Sequence, residues 1–142
     1  MKAGKVRSLA VCVIRDRDRI FISEISDRQN QQTFYRPLGG AIDFGELSEE
    51  AARRELEEEI GAEITDMKYL GIIENVYTYK GKPGHEIMIV YQGAFADDSL
   101  YERAWLPRLD KRSVRAVWKP LVDFRSGQSL LYPEGLLQLL SD

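Results

Sequence analysis

The chain has 142 residues, of which 44% are hydrophobic and 30% are charged. This length fits one domain with its own core, and the composition excludes a disordered or fibrous protein. The formal net charge of −3 gives the chain no overall attraction to nucleic acid backbones, so we expect no nucleic acid partner.

The first predicted elements are the two strands of a hairpin. Residues 6–14 are rich in valine, leucine and isoleucine, residues 15–18 form a charged turn, and residues 19–23 resume as a strand. Cys12 is the only cysteine and lies in the apolar run LAVCVI. We therefore expect a small buried hydrophobic side chain at this position, with a reactive thiol as the alternative.

A polar surface loop is predicted at 27–33, followed by an extended segment at 34–36. Pro37 restrains Arg36 to extended geometry. The pair Gly39 and Gly40 then predicts a tight loop, because glycine allows positive φ and close approach of a ligand.

The best-defined predicted helix covers 49–60. Ser48 is a suitable N-cap, and Gly61 is a suitable terminator. An apolar stripe for the core recurs at every fourth residue, at Ala52, Leu56 and Ile60.

The second half of the chain predicts another hairpin and a terminal helix. The predicted elements are a strand at 67–79, a turn at 80–84, a strand at 86–95, a charged loop at 97–112, a strand at 114–118 and a helix opened by Pro133. Hairpins dominate over regular βαβ alternation. This order predicts an α/β (α+β) fold with a mixed sheet flanked by helices.

Three carboxylates share one face of the predicted helix, because Glu55, Glu58 and Glu59 are spaced i, i+3 and i+4. A solvated acidic face is one interpretation, since each repulsive pair costs only ~0.2–0.5 kcal/mol. A site for Mg²⁺ or Mn²⁺ is the other, because these ions prefer clustered hard oxygen ligands. Arg54 can reach Glu58 at i+4, and the preceding glycines offer backbone groups to metal or phosphate.

Residues 40–61 read GAIDFGELSEEAARRELEEEIG and resemble the signature of the Nudix (MutT-like) hydrolases, G-x5-E-x7-R-E-U-x-E-E-x-G-U, where U is a bulky aliphatic residue. Gly40, Glu46, the Arg54-Glu55 pair, the glutamates at 58 and 59 and Gly61 fill its fixed positions. The last aliphatic position holds Ala62, and the position before the glycine pair, commonly proline in the family, holds Leu38. Neither departure removes an acidic ligand.

The resemblance implies an αβα sandwich, with residues 1–142 forming one Nudix domain. It also implies roles for named residues. Glu58 and Glu59 would be the principal ligands of Mg²⁺ or Mn²⁺, joined by Glu55 as ligand or general base and by the Gly39 carbonyl. Arg54 would orient a glutamate, Gly40 would approach the substrate, and Glu46 would support the loop.

The activity implied by the resemblance is attack of water on a phosphorus atom of a nucleoside diphosphate linked to another group. Nucleoside triphosphates, nucleotide sugars, ADP-ribose and dinucleoside polyphosphates all remain open as substrates. A nucleotide-sensing module that binds without turnover is the alternative from another class. Prenyl diphosphate isomerisation would need a reactive cysteine in the pocket, and RNA cap removal would benefit from more basic charge than the small cluster at Lys111, Arg112 and Arg115 provides.

Several residues outside the signature are further candidates. Glu86 could supply an additional ligand or base and contact the substrate, and a solvated strand end is its alternative; Glu102 and Glu74 are weaker candidates. Arg36 could contact phosphate, and an exposed strand arginine is its alternative, whereas His85 is expected in a surface turn. A base-stacking residue could be among the aromatic residues Phe34, Tyr35, Tyr77, Tyr79, Tyr91 and Trp118, although aromatic residues in strands usually belong to the core.

The cellular location is predicted from the apolar runs and the opening residues of the chain, and the assembly from the usual behaviour of such domains. The longest apolar runs are too short to cross a bilayer, and the opening residues MKAGKVRS lack the apolar segment of a signal peptide. We therefore expect a cytoplasmic protein without a membrane partner. A homodimer is expected because such domains most often assemble in that way.

Overall fold

The computed structural model describes residues 4–140, in which one mixed sheet is flanked by helices on both faces. The strands are β1 (Val6–Asp16), β2 (Arg19–Asp27), β3 (Gln32–Arg36), β4 (Leu38–Ala41), β5 (Ile64–Tyr79), β6 (Lys82–Phe95), β7 (Trp105–Pro107) and β8 (Arg115–Pro120). The helices are α1 (Ser48–Ile60), α2 (Leu121–Arg125) and α3 (Leu136–Leu140), and a 3-10 helix (Asp98–Glu102) precedes β7. The predicted fold class is confirmed. No helix within residues 4–140 combines the length and apolar character needed to cross a membrane.

The sheet follows the order β5-β6-β1-β2-β8-β7 and splits in its middle. β1 and β2 pair only where they form the predicted hairpin, at 14–16 with 19–21. Beyond that point β4 pairs with residues 9–12 of β1, and β3 pairs with residues 23–27 of β2. The chain passes from one half of the split to the other at Pro37, whose missing N–H suits a break between strands.

Two hydrophobic layers pack on opposite faces of the sheet. Alternate residues of β1 explain them, because Ala10, Cys12 and Ile14 face the α1 layer, whereas Leu9 and Val11 face the α2 and α3 layer. A strand buried on both faces reads as a continuous apolar run rather than an alternating one. The three-layer arrangement agrees with the αβα sandwich that the resemblance implied.

Helix α1 forms with the predicted apolar stripe and the predicted terminator. Gly61 adopts the left-handed conformation, with φ 69°, and ends the helix. The start differs from the prediction, because Leu47 is the N-cap and Ser48 is the first helical residue. The Ser48 hydroxyl is engaged with the Tyr91 hydroxyl at 2.6 Å, and the Glu50 carboxylate accepts the Leu47 N–H instead.

Other boundaries also differ from the sequence predictions. Gly39 and Gly40 lie in β4 rather than in a loop, because pairing with β1 outweighs the poor strand propensity of glycine. The turn predicted at 80–84 is short, and β6 already begins at Lys82. The loop predicted at 97–112 contains the 3-10 helix and β7, the short helix α2 was not predicted, and the terminal helix begins at Leu136 rather than at Pro133.

Cys12 is fully buried, as the sequence predicted, and burial raises the pKa of its thiol to about 12. We expect the native protein to resist a charged maleimide at about pH 8, because the thiolate is both scarce and inaccessible. Mass spectrometry should show one adduct only after denaturation. Rapid labelling of the folded protein, verified by an unchanged circular dichroism spectrum, would contradict the buried position.

Candidate active site

The glycine pair of β4 brings the backbone into direct contact with α1 and β1. A Cβ atom on Gly39 would lie 2.2 Å from the Ala10 carbonyl oxygen, and Gly39 has a φ of 144° that favours glycine. A Cβ atom on Gly40 would lie 2.3 Å from Oε1 of Glu55. The two glycines therefore allow strand β4 and the acidic helix to approach each other closely.

Arg54 forms hydrogen bonds with two glutamates of α1 and with one glutamate of the loop before it. Its guanidinium donates to both carboxylate oxygens of Glu46, at 2.7 and 3.0 Å, and to the Ala41 carbonyl at 2.9 Å. It also donates to Glu55 at 2.8 Å and to Glu58 at 3.1 Å. The predicted contact between Arg54 and Glu58 is present, and these bonds tie the loop after β4 to the helix.

The Glu46–Arg54 contact predicts an acid-dependent contribution to stability. The hydrogen bonds from Arg54 lower the pKa of Glu46 to about 2, below its ordinary value of 4.5. The stabilisation is therefore present above pH 4.5 and is lost as the pH falls towards 2.

We expect Glu46→Gln to lower the unfolding midpoint at neutral pH, with a difference from the native protein that shrinks below pH 4.5. Urea denaturation at a series of pH values measures this difference. Glu57→Gln, on an exposed position of the same helix, serves as the control. A difference that stays constant down to the lowest pH at which the protein folds would contradict the ion-pair origin.

Glu59 lies apart from the Arg54 cluster and is buried, with 4% of its surface exposed. Its Oε1 accepts the Gly39 N–H at 2.9 Å, and its Oε2 accepts a bond from Arg108 at 2.9 Å. Arg108 also donates to the Ser23 hydroxyl at 3.0 Å and to Asp110 at 2.7 Å. Burial raises the pKa of Glu59 to about 7, against the opposing effects of Arg108 and the Gly39 N–H.

The donor set matches a hard divalent cation in chemistry, because carboxylates are hard oxygen ligands, and two of the three, Glu55 and Glu59, lie against the glycine pair. Within residues 4–140, no three His, Cys, Asp or Glu side chains are grouped closely enough to hold a metal ion. Glu55 and Glu58 are both bonded to Arg54, whereas Glu59 is bonded to Arg108. A cation would therefore compete with two arginines for these carboxylates.

Arg36 lines two cavities near the split of the sheet. The smaller cavity, of about 190 Å³, is lined by Gly39 and Glu59 together with the cations Arg36, Arg108 and Lys111. The larger cavity has a volume of about 390 Å³. Its lining includes Phe34, Arg36, Asn75, Tyr77, Tyr79 and Tyr132. Because the smaller cavity combines a buried carboxylate with three cations, it suits a metal-associated phosphate group.

Glu86 lies apart from the glutamates of α1. It is buried, with 1% of its surface exposed, so the alternative of a solvated strand end is wrong. Its carboxylate is bonded to Arg36, Asn75 and Tyr77, which stand between it and the larger cavity. Glu74, Glu102 and His85 are exposed, but the expectation of a turn at His85 is wrong, because His85 lies in β6.

The aromatic candidates separate into two groups. Phe34, Tyr77 and Tyr79 line the larger cavity, whereas Tyr35 and Tyr91 belong to the hydrophobic layers. Trp118 stacks on Tyr101 and lies under Arg19. The basic cluster is also divided, since Lys111 lines the smaller cavity and Arg115 bonds Glu24.

Arg108 and Ser23 are the site residues that sequence reasoning missed. Arg108 belongs to a stretch in which charged residues are frequent, and Ser23 ends a predicted strand, so neither has a distinguishing local pattern. Their position beside Glu59 arises from the packing of segments that are distant in the chain. A spacing rule within one helix cannot reveal such a contact.

Comparison with known proteins gives one family match and several structural similarities. A family model described as the NUDIX domain matches residues 4–133. A MutT NUDIX hydrolase from Burkholderia pseudomallei shares 18% identity at a TM-score of 0.67, covering 97% of this chain and 100% of that chain. A mutator MutT protein from Bacillus halodurans shares 19% identity at a TM-score of 0.66, covering 96% and 84% respectively.

A third similar structure is a NUDIX hydrolase from Nitrosomonas europaea, with 19% identity, a TM-score of 0.60 and coverage of 96% of this chain and 86% of that chain. At these identities the structural similarity shows the shared fold. The family match extends over most of the chain and includes the whole of α1 and the glycine pair.

Proposed function

The chain belongs to the Nudix family, whose members are hydrolases, and on this premise we propose that it hydrolyses a diphosphate linkage in a nucleoside diphosphate joined to another group. The reaction would depend on Mg²⁺ or Mn²⁺. The observation that carries the proposal is the small cavity in which buried Glu59 meets Gly39 and three cationic side chains, on the helix that also carries Glu55 and Glu58.

In this proposal Glu55, Glu58, Glu59 and the Gly39 carbonyl are the groups that would hold the metal. A bound metal supplies Lewis acidity to the phosphate oxygens and a more acidic water. Arg54 orients Glu55 and Glu58 through the bonds described above. A carboxylate of this group accepts the proton of the attacking water, for which Glu55 is our candidate.

Three cationic side chains complete the proposed site beside the metal-binding groups. Arg36, Arg108 and Lys111 line the small cavity and would contact the oxygens of the diphosphate. Arginine suits this task because its planar fork bonds two phosphate oxygens at once. Gly40 allows the chain to pass close to Glu55, and an added side chain there would collide with the carboxylate.

Turnover of a nucleotide panel tests the proposal. Native protein should release products from at least one nucleoside triphosphate, nucleotide sugar, ADP-ribose or dinucleoside polyphosphate in the presence of Mg²⁺, and EDTA should abolish the reaction. Glu58→Gln should remove most activity, whereas Glu57→Gln, the same change at a neighbouring exposed position, should retain it.

Two results would contradict the proposal. Equal loss in both variants would show that the helix is sensitive to any change of charge. Tight metal-dependent binding of one nucleotide without turnover would favour the sensing module instead. Chromatographic identification of products also determines which bond is cut.

We propose that residues 1–142 form one cytoplasmic domain and that two copies form a homodimer. The outer edge of β5 offers a surface for pairing, because β5 ends the sheet order and exposes Ile72 and Val76. Light scattering after size-exclusion chromatography measures the mass, and a monomer at micromolar concentration would contradict the dimer.

A further inference from the structure

Glu86 is a buried carboxylate that the proposed chemistry does not use. Its Oε1 accepts bonds from Arg36 at 3.2 Å and Asn75 at 3.3 Å, and its Oε2 accepts the Tyr77 hydroxyl at 3.1 Å. Arg7 approaches Oε2 to 3.7 Å. Removing a carboxylate from water is costly, so such a group persists only where partners satisfy both oxygens. Glu86 therefore holds several polar side chains in a fixed arrangement.

The backbone of the β5–β6 hairpin is shaped to support this arrangement. Gly84 is the register partner of Tyr77. A Cβ atom on Gly84 would lie 2.2 Å from Cζ of Tyr77 and 2.6 Å from its hydroxyl oxygen. The ring of Tyr77 thus lies against the bare backbone of Gly84, which brings its hydroxyl within reach of Glu86.

Arg36 is the partner of Glu86 that reaches both cavities. It is one of the side chains that line the small cavity with Glu59, and it also lines the larger cavity. One third of its side chain remains exposed, so its guanidinium can donate further bonds while one nitrogen is held by Glu86. Its position is therefore the junction between the catalytic group and the larger cavity.

The larger cavity has the size and lining of a site for a flat organic ring. Its volume of about 390 Å³ lies within the range of small-molecule sites. Phe34 makes edge contacts with Tyr79 and Tyr132, at ring centroid separations of 5.8 and 5.6 Å, and both tyrosines are 39% exposed. Asn75 adds an amide that can hydrogen bond to ring substituents. Aromatic faces with nearby amides are suited to stacking and hydrogen bonding of a nucleobase.

We propose that Glu86 is a positioning residue that holds Arg36 at the junction of the two cavities, where Arg36 contacts a substrate phosphate and the larger cavity receives the nucleobase attached to it. This inference rests on the proposed function for the identity of the small cavity. Glu86 then affects substrate binding by positioning Arg36, and the nucleoside lies on the side of Phe34 and Tyr79, away from Glu59.

Binding of non-hydrolysable probes in EDTA tests the inference without turnover. The probes are the four ribonucleoside 5′-monophosphates and ribose 5-phosphate, and calorimetry measures their dissociation constants. We expect at least one monophosphate to bind native protein more tightly than ribose 5-phosphate does. Arg36→Met should weaken both kinds of probe by roughly tenfold or more, because it removes a charge-assisted bond. Tyr79→Ala should weaken the monophosphate alone.

A double variant tests whether Glu86 acts through Arg36, which the loss of binding in a single variant cannot show. Glu86→Gln preserves the volume of the side chain and should weaken monophosphate binding to a similar extent as Arg36→Met. The double variant should bind no more weakly than Arg36→Met, because both changes remove the same contact. Tyr77→Phe, which deletes one hydroxyl, should cause a smaller loss in the same direction. Arg115→Met, a change to an arginine that bonds Glu24 elsewhere, is the control and should bind as the native protein does.

Additive losses in the double variant would overturn the positioning role, as would unchanged binding in Arg36→Met. If Glu86→Gln does not fold, Tyr77→Phe and its double variant with Arg36→Met give the same comparison. Where native protein has turnover, the cavity variants should raise KM more than they lower kcat. Binding without turnover would contradict the proposed function alone, whereas turnover with no monophosphate binding would contradict this inference alone.

Discussion

Glu59→Gln is expected to lower both the affinity for Mn²⁺ and kcat/KM by about 100-fold or more, because a metal ligand that stabilises developing charge is worth several kcal/mol. The change preserves the volume of the side chain, and glutamine can still accept the Gly39 N–H through its amide oxygen, but its amide nitrogen cannot accept the bond from Arg108. Loss of the charge and of its bond to Arg108, rather than loss of packing, would then cause the defect. Calorimetric titration with Mn²⁺ and steady-state kinetics on a substrate that the nucleotide panel reveals measure the two quantities.

Glu86→Gln is the matched control for metal affinity. Glu59 and Glu86 are both buried and both bonded to an arginine, yet only Glu59 lies in the small cavity beside Gly39. We expect Glu86→Gln to retain native affinity for Mn²⁺ while it affects substrate binding. Equal affinity for Mn²⁺ in Glu59→Gln and native protein would remove Glu59 from the set of ligands.

Gly39→Ala is expected to cost about 3 kcal/mol or more of folding stability, because it combines overpacking with an unfavourable backbone conformation. Its Cβ atom would lie 2.2 Å from the Ala10 carbonyl oxygen and 2.6 Å from the Val11 Cα, and neither backbone atom can move without shifting β1. Urea denaturation followed by circular dichroism measures the change. Failure to obtain soluble protein agrees with the same prediction.

Gly4→Ala provides the control for the Gly39 variant. A Cβ atom at Gly4 has no neighbour within 4 Å, and the residue is exposed. We expect its unfolding free energy to stay within about 0.5 kcal/mol of the native value. Native stability in Gly39→Ala would show that β4 can separate from β1 at little cost.

Features that depend on local periodicity could be predicted from the sequence. The α1 helix follows from its apolar stripe and from Gly61, and the two hairpins follow from β-rich runs around polar turns. The contact between Arg54 and Glu58 follows from i+4 spacing, and its presence is confirmed by the structure. These features need only the geometry of one element or of adjacent elements.

Contacts between distant segments could not be predicted in the same way. The Glu59–Arg108 pair spans 49 positions, and the Arg36–Glu86 pair spans 50. Their formation depends on the way in which β1 and β2 separate and β3 and β4 fill the gap. Ser48 illustrates the same limit on a smaller scale, because a long-range contact with Tyr91 engages the hydroxyl that the sequence assigned to a cap. Tertiary packing thus selects among local preferences.

β1 pairs in parallel with β6, so the centre of the sheet cannot form during synthesis until both strands have been made. Val6 pairs with His85, and Ile14 pairs with Gly93, so β1 can form this pairing only after the ribosome has added about 80 further residues. Until then the edge of β1 that pairs with β6 is open, although the whole of α1 has already been made. A nascent chain that stops before Lys82 therefore contains all the proposed metal ligands but lacks the strand that pairs with β1, so its unpaired strand and incomplete core are open to chaperones and to aggregation.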